Sequence, residues 1–404
     1  MMCCCLLAAA LAALPVPQDV PELLRTFDGK AVSDRETWES VRKPELRKRF
    51  LETMYGKRPA AAEHPQVAFS SESADRTMMD GQAVRKRVRI SYEGPYGSNS
   101  FVVTAFIPKS EKPVPSFVLI CNRDAQKNID PERVEKSPFW PAEEIVKRGY
   151  AAIAFFNGDV APETYNPATA FLKGVFPCYE QPKDRGDMSW GTLSAWAWGA
   201  SRVMDWIETE PLLDAGHVAV VGHSRGGKTS LLAGATDERF AMTCVNCSGC
   251  GGAKLAHIDL PESEYYALFL SSRVTYWFCG KFQRCFMNRD RPIYRADAWP
   301  KACAPLDVDQ HEWAALVAPR LLAIASATKD SAAGPLGEWW TAKLASPAWE
   351  LYGKKGLVGE AWPKADCPQQ EGCVSYHLRA GEHTLSLYDW TCYMDFADRH
   401  GWRR

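Results

Sequence analysis

A serine set between glycines, Gly222-His223-Ser224-Arg225-Gly226, follows the apolar run Val218-Ala219-Val220-Val221 and precedes the small and aliphatic stretch Thr229-Ser230-Leu231-Leu232-Ala233-Gly234-Ala235. Strand, tight turn and helix in that order make a nucleophile elbow: the glycines admit a sharp turn that lifts the serine hydroxyl clear of the sheet. The helix start behind it offers free N–H groups and the positive end of a dipole to a developing oxyanion. Serine is a weak nucleophile on its own and needs a base, which in turn needs an acid to orient it. Downstream, Asp330 follows the apolar run Arg320-Leu321-Leu322-Ala323-Ile324-Ala325-Ser326, and His383 lies in Arg379-Ala380-Gly381-Glu382-His383-Thr384. Ser224, Asp330 and His383 therefore stand in the chain order of a Ser…acid…His triad. The chain has eight histidines. His223 is expected to point away from the site, and His311 is the main rival base. Glu382, Glu338 and Asp389 are the rival acids.

The elements around these residues alternate. Pro44 to Gly56 carries apolar residues at 46, 50, 51 and 54, a helical spacing closed by Gly56. Val84–Ile90 and Phe101–Pro108 read as strands of an antiparallel hairpin joined through the turn at 94–98. Strands are expected at 117–121, 150–156, 218–222, 240–246 and 320–326, and helices at 142–149, 191–210, 337–346 and 386–400. Buried strands separated by helices give a mostly parallel sheet covered on both faces. This is an α/β class, three-layer α/β-hydrolase fold, with the catalytic domain over 81–404 and an N-terminal helical extension over 18–80. The connection 157–188 is long and rich in Pro, Gly and Asp, a pattern typical of loops that line a site. A long insertion is expected at 251–312.

Composition narrows the function. A formal net charge of -1 over 404 residues gives no electrostatic reason for a nucleic-acid or anionic-membrane partner. Residues 1–17 open with Met1-Met2-Cys3-Cys4-Cys5-Leu6-Leu7-Ala8-Ala9-Ala10, too short to span a bilayer and similar to the apolar core of a signal peptide, although without its basic start. Export to the periplasm or medium is the expectation, with no integral membrane span and a monomeric enzyme. Removing that segment leaves 11 of 14 cysteines, an odd number, whose pairing spacing does not fix. Cys244-x-x-Cys247-x-x-Cys250 has the spacing of a metal knuckle, but strand alternation separates neighbouring side chains and no His or Cys cluster completes a ligand set. No metal or organic cofactor is expected.

Several segments together resemble the bacterial branch of the glucuronoyl esterases. They are Ser224-Arg225-Gly226-Gly227-Lys228, Asn246-Cys247-Ser248-Gly249-Cys250-Gly251-Gly252, Trp277-Phe278-Cys279, Val308-Asp309-Gln310-His311, Ala318-Pro319-Arg320, Gly381-x-His383, Arg148-Gly149-Tyr150, and the tryptophans at 190, 196 and 198. The resemblance covers roughly residues 85–402. It implies a serine esterase acting on the ester between 4-O-methyl-glucuronic acid of xylan and lignin alcohols. It further implies an oxyanion role for Arg225, through its backbone N–H and its guanidinium, and a sugar-hydroxyl contact for Lys228. Gln310, Glu264 (with Glu262 as its alternative) and Trp339 complete the implied substrate contacts.

Three departures from that family bear on specificity. Cys247 stands where many members carry a glutamate acid, so the burden of orienting the base falls on Asp330. No tryptophan follows Asp330 directly, although Trp339 and Trp340 lie close in sequence. The insertion 253–275 lacks the family's Arg-rich stretch. An acetyl-xylan or other carbohydrate O-acetyl esterase would use the same triad, and a carbohydrate-binding pseudoenzyme would keep the fold without turnover.

Overall fold

The architecture follows from where the apolar residues of each strand point. In the computed structural model, β4 (Val114–Cys121) is buried along its whole length. Phe117, Leu119 and Cys121 join one core layer and Val118 and Ile120 the other. A strand buried on both faces must be covered on both, and it is. The helices Thr192–Ile207 and Arg225–Thr236 contribute to one layer, and Ala142–Lys147 and Leu387–Arg399 to the other. The structure describes residues 15, 17, 19–164, 166–258, 260, 262–264, 274–282 and 307–403. The expected signal segment 1–17 lies almost entirely outside them. None of the described helices is long and apolar enough to cross a membrane.

Among the described residues, nine strands form one sheet in the order β1-β2-β3-β5-β4-β6-β7-β8-β9. β2 (Ala83–Gly94) and β3 (Gly97–Pro108) are the expected antiparallel hairpin. From β5 (Ala151–Phe156) and β4 onward, β6 (Leu213–His223), β7 (Met242–Asn246), β8 (Leu321–Ala327) and β9 (Val374–Arg379) pair in parallel. Parallel strands present all their carboxyl ends on one edge. The residues that follow β6, β7, β8 and β9 therefore meet there.

The N-terminal extension needs a correction. A helical run does occupy Arg35 to Tyr55, α-helical over Lys43–Phe50 and of π type over Trp38–Arg42 and Leu51–Tyr55, ending at Gly56 with φ of 82°. However, Gln66–Met78 is not helical: it is β1, paired antiparallel with β2 at the sheet edge. The extension is also bonded to the rest of the fold. Buried Arg42 donates to Glu312 at 2.5 Å and to the Leu23 carbonyl at 3.0 Å, tying the helical run to the far end of the insertion.

Candidate active site

The turn after β6 is built around a steric necessity. A Cβ at Gly222 would sit 1.9 Å from the Gly226 carbonyl oxygen, so only glycine lets the chain double back so closely. Ser224 takes φ 56° and ψ -124°, a conformation costly for a non-glycine residue, and its N–H donates to the Asn246 carbonyl at 2.9 Å. The helix Arg225–Thr236 starts at the next residue. Strand, strained serine and helix start are the elbow expected from the sequence.

Asp330 and His383 come together in front of this turn. His383 Nδ1 lies 2.5 Å from Asp330 Oδ2, and the His383 ring is 4.4 Å from the ring of His223. Burial pushes the Asp330 carboxyl up, but hydrogen bonds from His383, the Ala333 N–H and the Cys247 thiol outweigh it and hold the carboxyl below its ordinary value. The side chain of Asp330 is nearly covered, whereas that of His383 is 41% exposed, so the imidazole can meet a substrate. No hydrogen bond joins Ser224 Oγ to His383 among the described residues. Such contacts commonly tighten only when substrate binds.

His223 is buried and takes a different part. It lies between Arg123 Nη2 (3.1 Å from Nε2) and Asn246 Oδ1 (2.7 Å from Nδ1). Arginine can only donate, so Nε2 accepts and Nδ1 carries the proton. Burial pushes its pKa down to about 3, aided by His383 and Arg123, and it packs beside His383 uncharged.

The loop that carries His383 is fastened by a residue the sequence reading did not single out. Arg379 donates through Nη2 to the carbonyls of Glu382 at 2.7 Å and Thr384 at 2.9 Å, on either side of His383. Its Nε donates to Asp389 Oδ2 at 3.0 Å, and Asp389 also lies 3.0 Å from His377 Nε2. The rival acids are thereby accounted for. Asp389 is a buried anchor, Glu382 is an exposed partner of Lys329 at 3.2 Å, and Glu338, on the helix Pro335–Ala345, is buried against the loop after β7. The rival base His311 is buried, with Nε2 3.1 Å from the Pro21 carbonyl.

Glu338 ties the loop after β7 to the end of β8. Its Oε1 accepts from Ser248 N–H at 2.7 Å, Ser248 Oγ at 2.6 Å and Gly249 N–H at 3.0 Å, while Oε2 lies 2.6 Å from Ser326 Oγ. Burial pushes its pKa up to about 7 against those donors, with the nearby Asp330 charge adding to the rise. An acid raised above its unfolded value keeps its proton in the folded state over a range where the unfolded chain has lost it. Its contribution to stability is thus present in full below pH 4.5 and fades as pH climbs through about 7. Glu338→Gln keeps an acceptor for the three Oε1 donors and offers an N–H to Ser326. Its urea midpoint is expected to fall less between pH 5 and pH 8 than that of the wild type; parallel curves would mean that Glu338 does not titrate. Glu338→Ala strands two buried N–H groups and should cost about 3 kcal/mol.

The expected substrate contacts divide into two sets. Lys228, one helical turn after Ser224, is buried; its Nζ donates to the Ser248 carbonyl and lies 3.5 Å from Glu264 Oε2. Lys228 and Glu264 therefore meet, and Lys254 Nζ holds the Glu264 backbone carbonyl at 2.6 Å. Gln310 and Trp339 require correction. Gln310 is fully buried, its amide facing Tyr55 Oη at 3.5 Å and the Met54 sulfur at 3.5 Å, because helix Gln310–Ala315 packs inward. Trp339 is also buried, with Nε1 donating to Gln369 Oε1 at 3.1 Å, so its ring is closed to a sugar face.

Arg225 is engaged in a way the sequence did not disclose. Its Nη2 donates to Glu163 Oε2 at 2.6 Å and to the Asn122 carbonyl at 2.7 Å, and its Nε lies 2.5 Å from Glu163 Oε1. Glu163 comes from the long connection expected to line the site. The cysteines at 244, 247 and 250 are all buried. Among the described residues, the ligand-type atoms that converge are instead those of Cys247, Asp330 and His383, within 4.8 Å of one another. A hydrogen-bonded acid–base pair with a thiol behind it accounts for that convergence.

Known proteins resemble this chain over most of its length. Residues 98–353 match the family model described as glucuronyl esterase, fungi. The chain is 31% identical over 408 residues to the carbohydrate esterase MZ0003 of an unknown prokaryotic organism, covering 94% of this chain and 89% of the relative. It is 29% identical over 214 residues to 4-O-methyl-glucuronoyl methylesterase 1 of Phanerochaete chrysosporium, covering 52% of this chain and 41% of that longer protein. Among solved structures, the glucuronoyl esterase from Solibacter usitatus superposes with a TM-score of 0.82 at 29% identity, covering 96% of this chain and 99% of the other.

Proposed function

The chain belongs to the glucuronoyl esterase family, and from that premise we propose that it hydrolyses 4-O-methyl-glucuronoyl esters of lignin–carbohydrate complexes through Ser224, His383 and Asp330. Ser224 Oγ attacks the ester carbonyl as His383 Nε2 takes its proton, and Asp330 holds Nδ1 and stabilises the imidazolium. N–H groups at the start of the helix Arg225–Thr236, with the Arg225 side chain, meet the negative charge that forms on the carbonyl oxygen. Collapse of the tetrahedral intermediate expels the alcohol, which takes the proton from His383. Water then repeats the sequence on the acyl-enzyme.

The observation that carries the sugar specificity is the buried Lys228 facing Glu264, one turn from the nucleophile. A buried ammonium set between a carbonyl and a carboxylate is a fixed polar group, suited to orienting a hydroxylated ring. Export fits a polymeric substrate, and the apolar segment 1–17 supports it. Paired hydrolysis of benzyl glucuronate and 4-nitrophenyl acetate tests the reading. Wild-type enzyme should prefer the uronate ester, and Lys228→Ala should raise KM for it by about tenfold, the loss of one charged hydrogen bond, with less effect on the acetate. Preference for the acetate would assign the site to a carbohydrate O-acetyl esterase instead.

A further inference from the structure

We infer that Glu163 is a positioning residue that occupies the Arg225 fork and so speeds departure of the anionic product, an inference that rests on the uronate reading above. Hydrolysis of the acyl-enzyme adds water across the bond between the carbonyl carbon and Ser224 Oγ. The water oxygen joins the carbon, one proton returns to Ser224 through His383, and the released acid gives its own proton to solvent. The ester that enters is neutral at the reacting carbon, but the product that leaves carries a carboxylate there.

A guanidinium beside the nucleophile would grip that carboxylate. Arginine pairs with carboxylates through two parallel hydrogen bonds, and charge makes such pairs among the strongest available. Here Glu163 already holds that side of the guanidinium: Nη2 donates to Oε2 at 2.6 Å, and Nε lies 2.5 Å from Oε1 as an ion-pair contact without hydrogen-bond alignment. Among the described residues, Nη1 has no protein partner. A single oxyanion in the transition state needs only one further donor, whereas the product carboxylate would need the occupied pair. Glu163 thus withholds from the product a contact that the transition state does not use.

The pair is built for the site rather than for stability. The two side chains are 28% and 34% exposed, and ion pairs at that exposure add little to folding free energy. Glu163 is nevertheless held in position: the N–H of Thr164 donates to Tyr276 Oη at 3.3 Å, and Asn122 fixes the guanidinium from the other side. Burial raises the Glu163 carboxyl against the pull of Arg225. That is the condition of a carboxylate whose main compensation is this one cation.

The test is inhibition of benzyl glucuronate hydrolysis by free glucuronate in wild type, Glu163→Gln, Glu163→Ala and Glu163→Asp, each with a thermal unfolding control. Removing the charge should lower the glucuronate Ki by about tenfold, the effect of deleting one like charge near a partly exposed anion site. KM for the neutral ester should move much less. Glu163→Asp keeps the charge and should keep a Ki near that of the wild type. A Ki unchanged in both Glu163→Gln and Glu163→Ala, or a Ki and KM that fall by the same factor, overturns the inference and leaves the uronate reading standing. A wild type inert on benzyl glucuronate overturns that reading and the inference with it.

Discussion

Ser224→Ala should abolish ester turnover, lowering kcat by at least about 10⁴-fold on both uronate and acetate esters, while leaving the fold intact. The size follows from what one atom does. Without Oγ no acyl-enzyme forms, and the remaining groups can only polarise a carbonyl for water. In serine hydrolases, that residue of catalysis lies several orders of magnitude below the full rate. The fold should survive because alanine retains the Cβ and the backbone N–H that bonds the Asn246 carbonyl at 2.9 Å. The close approach that defines the elbow belongs to Gly222 and Gly226, not to the serine hydroxyl. The measurement is single-turnover kinetics together with a urea midpoint. A folded variant with wild-type rates would place the nucleophile elsewhere.

The proposed triad could be assembled from the sequence because its parts lie next to strong local signals. Ser224 ends a β-branched strand, Asp330 follows an apolar one, and His383 precedes an amphipathic helix, so period and turn residues alone located them. What joins separate segments left no local mark. Glu163 reaches Arg225 across 62 positions and Glu338 reaches Ser248 across 90, and neither has a neighbour pattern that announces a partner. The edge strand Gln66–Met78 was absorbed into a helical extension because it is polar and largely exposed, and an edge strand can remain so when only one side of it is paired. Gln310 and Trp339 failed for the opposite reason. Motif position gave their place in the chain, but the direction of a side chain depends on helix packing, which turned both toward the interior. Arg379 was quoted only as part of the His383 segment, since its work is done on backbone carbonyls that any sequence supplies.

Asp330→Asn should lower kcat by about 10³- to 10⁴-fold, with no recovery at alkaline pH. The amide cannot be a full acceptor for Nδ1–H; turned the other way it presents N–H and favours the wrong imidazole tautomer. The question is whether Cys247 could take over, since its ligand atom lies within 4.8 Å of those of Asp330 and His383. A thiol would need to become a thiolate to stabilise an imidazolium. Burial holds the Cys247 thiol well above its ordinary value, and the charges of Glu338, Asp330 and Asp389 add to the rise. It therefore stays protonated and acts as a donor to Asp330, the opposite of what the base requires. Glu382 offers no relief either, because it is exposed and paired with Lys329 at 3.2 Å. The check is the rate of Asp330→Asn from pH 6 to pH 10, compared with Asp330→Asn combined with Cys247→Ala. Equal, flat residual rates are expected. A rise above pH 8 that vanishes with Cys247→Ala would make the thiolate a working acid partner, and near-wild-type rates throughout would remove Asp330 from the triad.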